Sequence, residues 1–134
     1  DGMGEYVANQ VIRLMVRKSI NPVDAKVLVM GLAFKENCPD LRNTRVVDII
    51  DALKGYNAQV DVCDPWVDAG EAREEYGISL IEARAWGYEA IVVAVGHDEF
   101  RALGAAGIRR YGKPGAVLYD VKYLLPQEAV DGRL

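Results

Sequence analysis

Three stretches of this sequence put chemically able residues directly after apolar runs. Residues 26–31 lead into Leu32-Ala33-Phe34-Lys35, residues 90–95 lead into Gly96-His97-Asp98, and residues 116–121 lead into Lys122. Short apolar runs bounded by glycine or charge read as buried parallel strands. In an open parallel sheet, ligands sit outside the carboxyl ends of the strands, where the strand order reverses. Two of these three ends deliver a lysine. The chain is acidic as a whole, with 16 Lys and Arg against 20 Asp and Glu and a net charge of −4. Two ammonium groups converging on one edge of such a molecule suit a phosphate or pyrophosphate. Lys35 and Lys122 are therefore the candidate binding cations.

Other reactive residues carry less. Cys38 lies in the loop after the first strand, where Lys35, Arg42 and a helix starting near Thr44 are placed to favour a thiolate. Cys63 reads as an ordinary strand cysteine. Two cysteines make no disulfide framework and point to a reducing compartment, hence a cytoplasmic protein. His97 is the single histidine, and one histidine with no neighbouring Cys or His makes no zinc site. It reads as a loop residue near the rim of the cleft. Asp64, at the end of the second strand, stands where a ribose-binding acid sits in a dinucleotide fold. The glycine loop that should accompany it is missing, because Gly31 stands alone after strand one and Gly2 and Gly4 follow no strand. Asp64 thus reads as a turn residue before Pro65. Trp66 and Trp86 read as packing residues, and Glu71, Glu74 and Glu75 as a solvated helix face.

The elements that must position these residues alternate. A helix over residues 1–20 ends at Asn21-Pro22. Then follow a strand, a helix over 44–54 stopped by Gly55, a strand over 58–63, and an acidic helix over 68–76 with Gly77 as terminator. A short edge strand over 78–80 and a short helix over 81–86 come next. The 90–95 strand is followed by two helical pieces, 98–103 and 105–111, and the last strand. This order defines an α/β fold: a Rossmann-like three-layer parallel sheet with helices on both faces, preceded by a long N-terminal helix. The apolar positions of that first helix spread beyond a single stripe, from Tyr6 to Val16. Such a helix is packed on more than one side or has lost a partner, and in the latter case it would self-associate.

Composition bounds the function. With 134 residues, 51% hydrophobic and 27% charged, the chain has the profile of one globular domain. Its acidity argues against a general nucleic-acid binder. Its apolar runs are too short to span a membrane, and its start lacks the features of a signal peptide. The first residue is Asp, so the chain looks cut from something longer. One small domain rarely holds two substrates and the machinery to join them.

The run Gly31-Leu32-Ala33-Phe34-Lys35-Glu36-Asn37-Cys38-Pro39-Asp40-Leu41-Arg42-Asn43-Thr44-Arg45 closely resembles the start of the C-terminal domain of the UDP-glucose and GDP-mannose dehydrogenase family. Asp64-Pro65, His97-Asp98-Glu99-Phe100 and Tyr119-Asp120-Val121-Lys122 fit the same family. The resemblance implies that residues 1–20 are the end of a central-domain helix and residues 21–134 a UDP-sugar-binding domain. The whole enzymes oxidise the sugar C6 alcohol to a carboxylate in two NAD-dependent steps through a cysteine. NAD is held mainly by an N-terminal domain that this chain does not contain. The family's cysteine lies upstream of residue 1, so the resemblance leaves Cys38 without a catalytic role and no catalytic residue in this chain. It implies that Phe34, Lys35 and Lys122 meet the UDP-sugar. Related UDP-glucose dehydrogenases have arginine where Lys122 stands, and lysine keeps the charge but loses the bidentate fork. Arg42 would reach toward NAD; Arg45, three residues on, is assigned no role. The Glu36–Thr44 wording is most like dehydrogenases of UDP-N-acetylhexosamines that feed surface-polysaccharide synthesis. The partners implied are the UDP-sugar and further copies of the chain, with the N-terminal helix at an interface. The alternative reading is a free-standing nucleotide- or CoA-binding module without redox activity.

Overall fold

A computed structural model describes residues 2–134. Helix α1 (Met3–Arg17) leads into strand β1 (Lys26–Met30), followed by α2 (Val46–Gly55), β2 (Gln59–Cys63) and α3 (Ala69–Tyr76). The second half runs β3 (Tyr88–Val93), α4 (Asp98–Arg109), β4 (Gly112–Asp120), a 3-10 turn at Gln127–Ala129, and β5 (Gly132–Arg133). The strands form one parallel sheet in the order β2-β1-β3-β4-β5. The order reverses between β1 and β3, which puts the ligand-facing crevice at their carboxyl ends.

Both faces of the sheet are buried, which is why the central strands read as unbroken apolar runs. Val27 and Val29 of β1 face one core, shared with Val7, Val11 and Met15 of α1, Ile49, Ile50 and Leu53 of α2, and Ala72 of α3. Leu28 and Met30 face the other, closed by Phe100 and Ile108 of α4. The helices are thus distributed three to one across the sheet. Helix α4 is the pair of pieces expected from the sequence, broken at Gly104, whose φ is 66 and ψ 176.

Helices α1 and α2 touch through Gly4. A Cβ built on Gly4 would lie 2.4 Å from the Asp48 Cβ and 2.9 Å from the Ile49 nitrogen, so any side chain there forces the helices apart.

Four expectations change. The 81–86 segment is irregular with a turn at Ala85-Trp86, not helical. The Ile81 N–H donates to the Val62 carbonyl, and the Trp86 and Gly87 N–H groups donate to Arg110 and Tyr111, so both ends of the segment are tied to other elements rather than to a helical turn. Within it Trp86 takes φ 58 and is 60% exposed rather than packed. Residues 78–80 contribute only a bridge, Val62 to Leu80. Helix α1 ends at Arg17, before Asn21-Pro22, where the Lys18 and Ile20 N–H groups close on Leu14 and Met15. Nor is α1 stranded: Val7, Ala8, Val11, Ile12 and Met15 are all buried within this domain, leaving Tyr6 and Val16 outside.

The C-terminal segment, which no local pattern announced, is clamped by Asp131. This carboxylate accepts the Leu118 N–H at 2.8 Å and pairs with Lys18 at 3.0 Å and Arg109 at 3.2 Å. Burial pushes its pKa up, but the Leu118 amide and the two cations outweigh that and hold it below the usual carboxylate range.

Candidate functional site

The loop between β1 and α2 crosses the switch point. It leaves the sheet at Gly31, with φ 101 and an ideal Cβ only 2.5 Å from the Val95 Cβ, so only glycine lets β1 turn against β3 here. The Thr44 hydroxyl donates to the Leu32 carbonyl at 2.7 Å and accepts from the Val46 N–H, tying the first turn of α2 back to the strand end. The Phe34 N–H donates to the Asp40 carbonyl at 2.8 Å and closes the loop on itself.

Across the sheet edge, Asp120 is fully buried and folds the chain after β4. Its carboxylate accepts the Lys122 N–H at 3.1 Å and the Leu125 N–H at 2.8 Å. Phe34, 51% exposed, and Lys122 then line one cavity of about 80 Å³ together with Met3, Arg45, Val95 and Val121. Two of the expected residues are therefore brought together. Lys35 is exposed and does not line this cavity; its charge falls on the Asp40 side of the loop. The two lysines are also not on neighbouring strands, because β3 runs between β1 and β4. Arg45, given no role in the sequence reading, stands in the cavity instead.

Arg42 is held in a bidentate pair with Asp40, Nε to Oδ1 and Nη2 to Oδ2 both at 3.0 Å, with its own side chain 86% exposed. The side-chain and backbone hydrogen bonds from Arg42 lower the Asp40 pKa to about 2. The guanidinium faces solvent and does not line the cavity.

The residues that sequence reading passed over are Asp64 and His97. Asp64 does make the expected turn, its Oδ1 accepting the Trp66 N–H two residues on, and His97 does stand in the loop before α4, but both side chains are fully buried. Asp64 Oδ2 accepts the Leu32 N–H at 2.7 Å, the Ala33 N–H at 2.9 Å and His97 Nε2 at 3.0 Å, while Oδ1 accepts the Trp66 N–H at 2.8 Å. Burial pushes the Asp64 carboxyl up; His97 and the three amides overcome it and hold the group below its ordinary range. His97 Nδ1 accepts the Asn37 N–H at 2.9 Å, and its ring stacks beside Trp66. The one available signal was that Asp64 directly follows β2 and His97 closes the loop between β3 and α4.

Cys63 is inert: burial, then the Asp64 and Asp61 charges, push its thiol up to about 12. Among the described residues no group of His, Cys, Asp or Glu is arranged to hold a metal ion, and no helix is long and apolar enough to cross a membrane.

A five-stranded parallel sheet with a loop crossing its switch point, and no glycine cradle, defines a Rossmann-like α/β domain. The sequence profile of the UDP-glucose/GDP-mannose dehydrogenase family, UDP binding domain, matches residues 28–127. UDP-N-acetyl-D-glucosamine 6-dehydrogenase of Salmonella typhi is 51% identical over 135 residues, covering 100% of this chain and 32% of that protein. The protein of the same name from Pseudomonas aeruginosa is 53% identical, with 100% and 32% covered. Among solved structures, NDP-N-acetyl-D-galactosaminuronic acid dehydrogenase from Methanosarcina mazei superposes with a TM-score of 0.83 at 24% identity, over 96% of this chain and 27% of that one. The chain belongs to the UDP-glucose/GDP-mannose dehydrogenase family and corresponds to its UDP binding domain. It spans about a third of the length of the curated relatives it matches, 32% in both cases above.

Proposed function

We propose that this domain forms the UDP-sugar side of the cleft in an NAD-dependent UDP-N-acetylhexosamine 6-dehydrogenase, a cytoplasmic enzyme that feeds surface-polysaccharide synthesis. The observation that carries this reading is the match along the whole chain, at 51%, to UDP-N-acetyl-D-glucosamine 6-dehydrogenase. The geometry supports it. Phe34 offers an aromatic face and Lys122 an ammonium on one hollow of about 80 Å³, which suits part of a ligand and not a whole sugar nucleotide, so the rest of the seat lies outside this hollow. Lys35 supplies the second cation toward the diphosphate from the loop itself. Two free cysteines, Cys38 and Cys63, are consistent with a reducing compartment.

The chain's residues fit NAD only as an edge. The amides after β1, which face the pyrophosphate in a dinucleotide-binding fold, are taken by the Asp64 carboxylate. The exposed Arg42 guanidinium is the group this domain would contribute, as a cation toward a dinucleotide held elsewhere. NAD supplies hydride acceptance at the sugar C6; this chain's part is to seat and orient the UDP-sugar. The same filled cradle speaks only against the dinucleotide form of the alternative, a free-standing nucleotide- or CoA-binding module without redox activity. The reading includes a homo-oligomer with α1 at an interface, where Tyr6 and Val16 are the apolar residues left for contact.

The test is an assay of the full-length enzyme with NAD and a panel of UDP-sugars. UDP-N-acetylhexosamines are expected to be oxidised in preference to UDP-glucose. Lys35→Ala is expected to raise the KM for the UDP-sugar about 10-fold or more, the scale of one charge-assisted hydrogen bond. Arg42→Ala should raise the KM for NAD and leave that for the sugar. Preference for UDP-glucose would overturn the substrate assignment, and an unchanged sugar KM in Lys35→Ala would overturn the role of that lysine.

A further inference from the structure

His97 sits between the carboxyl ends of β1, β2 and β3 with no solvent exposure. Its Nε2 lies 3.0 Å from the Asp64 carboxylate, which only accepts, so Nε2 carries the proton. Nδ1 accepts the Asn37 N–H at 2.9 Å, so Nδ1 carries a lone pair and the ring is neutral. Asn37 answers from the other side: its Oδ1 accepts the Asp98 N–H at 2.9 Å, at the first turn of α4. The loop over residues 34–37 is itself exposed. The bonds to His97 and Asp98 are what join its middle to the sheet edge, while Asp64 holds its root through Leu32 and Ala33.

We infer that His97 is a positioning residue for UDP-sugar binding, and that its Nδ1 lone pair holds the loop bearing Phe34 and Lys35 in its substrate-facing arrangement. This rests on the reading that the loop meets the UDP-sugar. His97 touches no substrate; it acts through the Asn37 amide. Losing the tie frees the loop to sample other arrangements, so binding must order it again and affinity falls. The chemistry after binding involves atoms His97 never reaches, so turnover should be spared.

Two substitutions separate the ring's two bonds. Gln at position 97 can place an amide N–H near Nε2 and keep the Asp64 bond, but leaves the Asn37 amide without an acceptor. Asn places a carbonyl oxygen near Nδ1 and gives up the donor to Asp64. Both lose the ring, so the difference between them reports the Nδ1 tie. The full-length enzyme would be measured by hydrogen exchange over residues 34–40 and by steady-state kinetics. His97→Gln is expected to speed exchange in that segment about 10-fold and raise the UDP-sugar KM about 10-fold, with kcat within about 2-fold, the scale of one buried hydrogen bond. His97→Asn is expected to recover most of both. Equal behaviour of the two variants, or faster exchange without a KM change, would overturn the inference. If Lys35→Ala and Phe34→Ala both leave KM unchanged, the assignment of the loop to substrate fails instead, whatever the exchange shows. Should neither His97 variant fold, nitrogen-15 signals of the wild-type ring decide: the Nε2–H tautomer supports the tie, and a protonated Nδ1 overturns it.

Discussion

Asp64 gathers four donors on two oxygens: the amides of Leu32, Ala33 and Trp66 and the ring of His97. A buried carboxylate is costly unless its lone pairs are taken up in this way, and here they join the ends of β1, β2 and β3 through one side chain. Because the folded-state pKa is depressed, the stabilisation is full above the ordinary carboxylate range and is lost as pH falls through the folded value. Urea midpoints should therefore fall steeply below about pH 4. Asp64→Asn should lower stability at neutral pH by about 2 kcal/mol, the cost of leaving buried donors unmatched, and should flatten that acid limb. An unchanged limb in the variant would mean that other carboxylates carry the acid response. Neither Asp64 nor His97 was legible as a pair in the sequence. They are 33 residues apart, and local spacing carries no information about which side chains meet across a sheet edge. Asp before Pro has a sufficient local explanation as a turn, and that explanation concealed the burial.

At the scale of elements, the contact of α1 with α2 depends on the missing side chain of Gly4. Ala would gain helix propensity worth about 1 kcal/mol, but its methyl would enter the space of the Asp48 side chain and backbone. Overpacking costs typically about 1–3 kcal/mol, and the obstruction here includes backbone, so the loss should win. Chemical denaturation of Gly4→Ala should show a net destabilisation of up to about 2 kcal/mol; a stabilised variant would show that the helices can slide apart freely. The strands were the most readable elements, because burial on both faces leaves an apolar run that nothing else explains. The 81–86 segment differs from its expected helix because its hydrogen-bond partners, Val62, Arg110 and Tyr111, lie far off in sequence. Strand β5 is two residues long and held by Tyr119 and Asp120, too short to leave a period.

For the molecule as a whole, α1 packs on the structure it precedes. Burying Val7, Val11, Ile12 and Met15 contributes roughly 6–12 kcal/mol in total at about 1.5–3 kcal/mol each. That is comparable to the whole stability of a domain this size, about 5–15 kcal/mol. A chain beginning at residue 21 should therefore lose cooperative unfolding and expose sheet surface to a hydrophobic dye, whereas the present chain should unfold in one transition. Retention of a sharp transition without α1 would return the helix to a neighbouring domain. The division at residue 20 follows the Asn21-Pro22 break, and the chain beginning at residue 21 tests it.

The Asp64 carboxylate also bears on how such a domain would respond to compounds and to redesign. A molecule copying the two phosphates of a dinucleotide finds its seat after β1 already filled by an anion of the chain, and a like charge brought there is repelled. Compounds shaped on uridine and directed at Phe34 and Lys122 would meet no such internal competitor. Removing Asp64 to open the seat would also free the β1 loop and leave the His97 donor unmatched. Opening that seat therefore costs the fold the bonds that hold the β1 loop and the His97 ring.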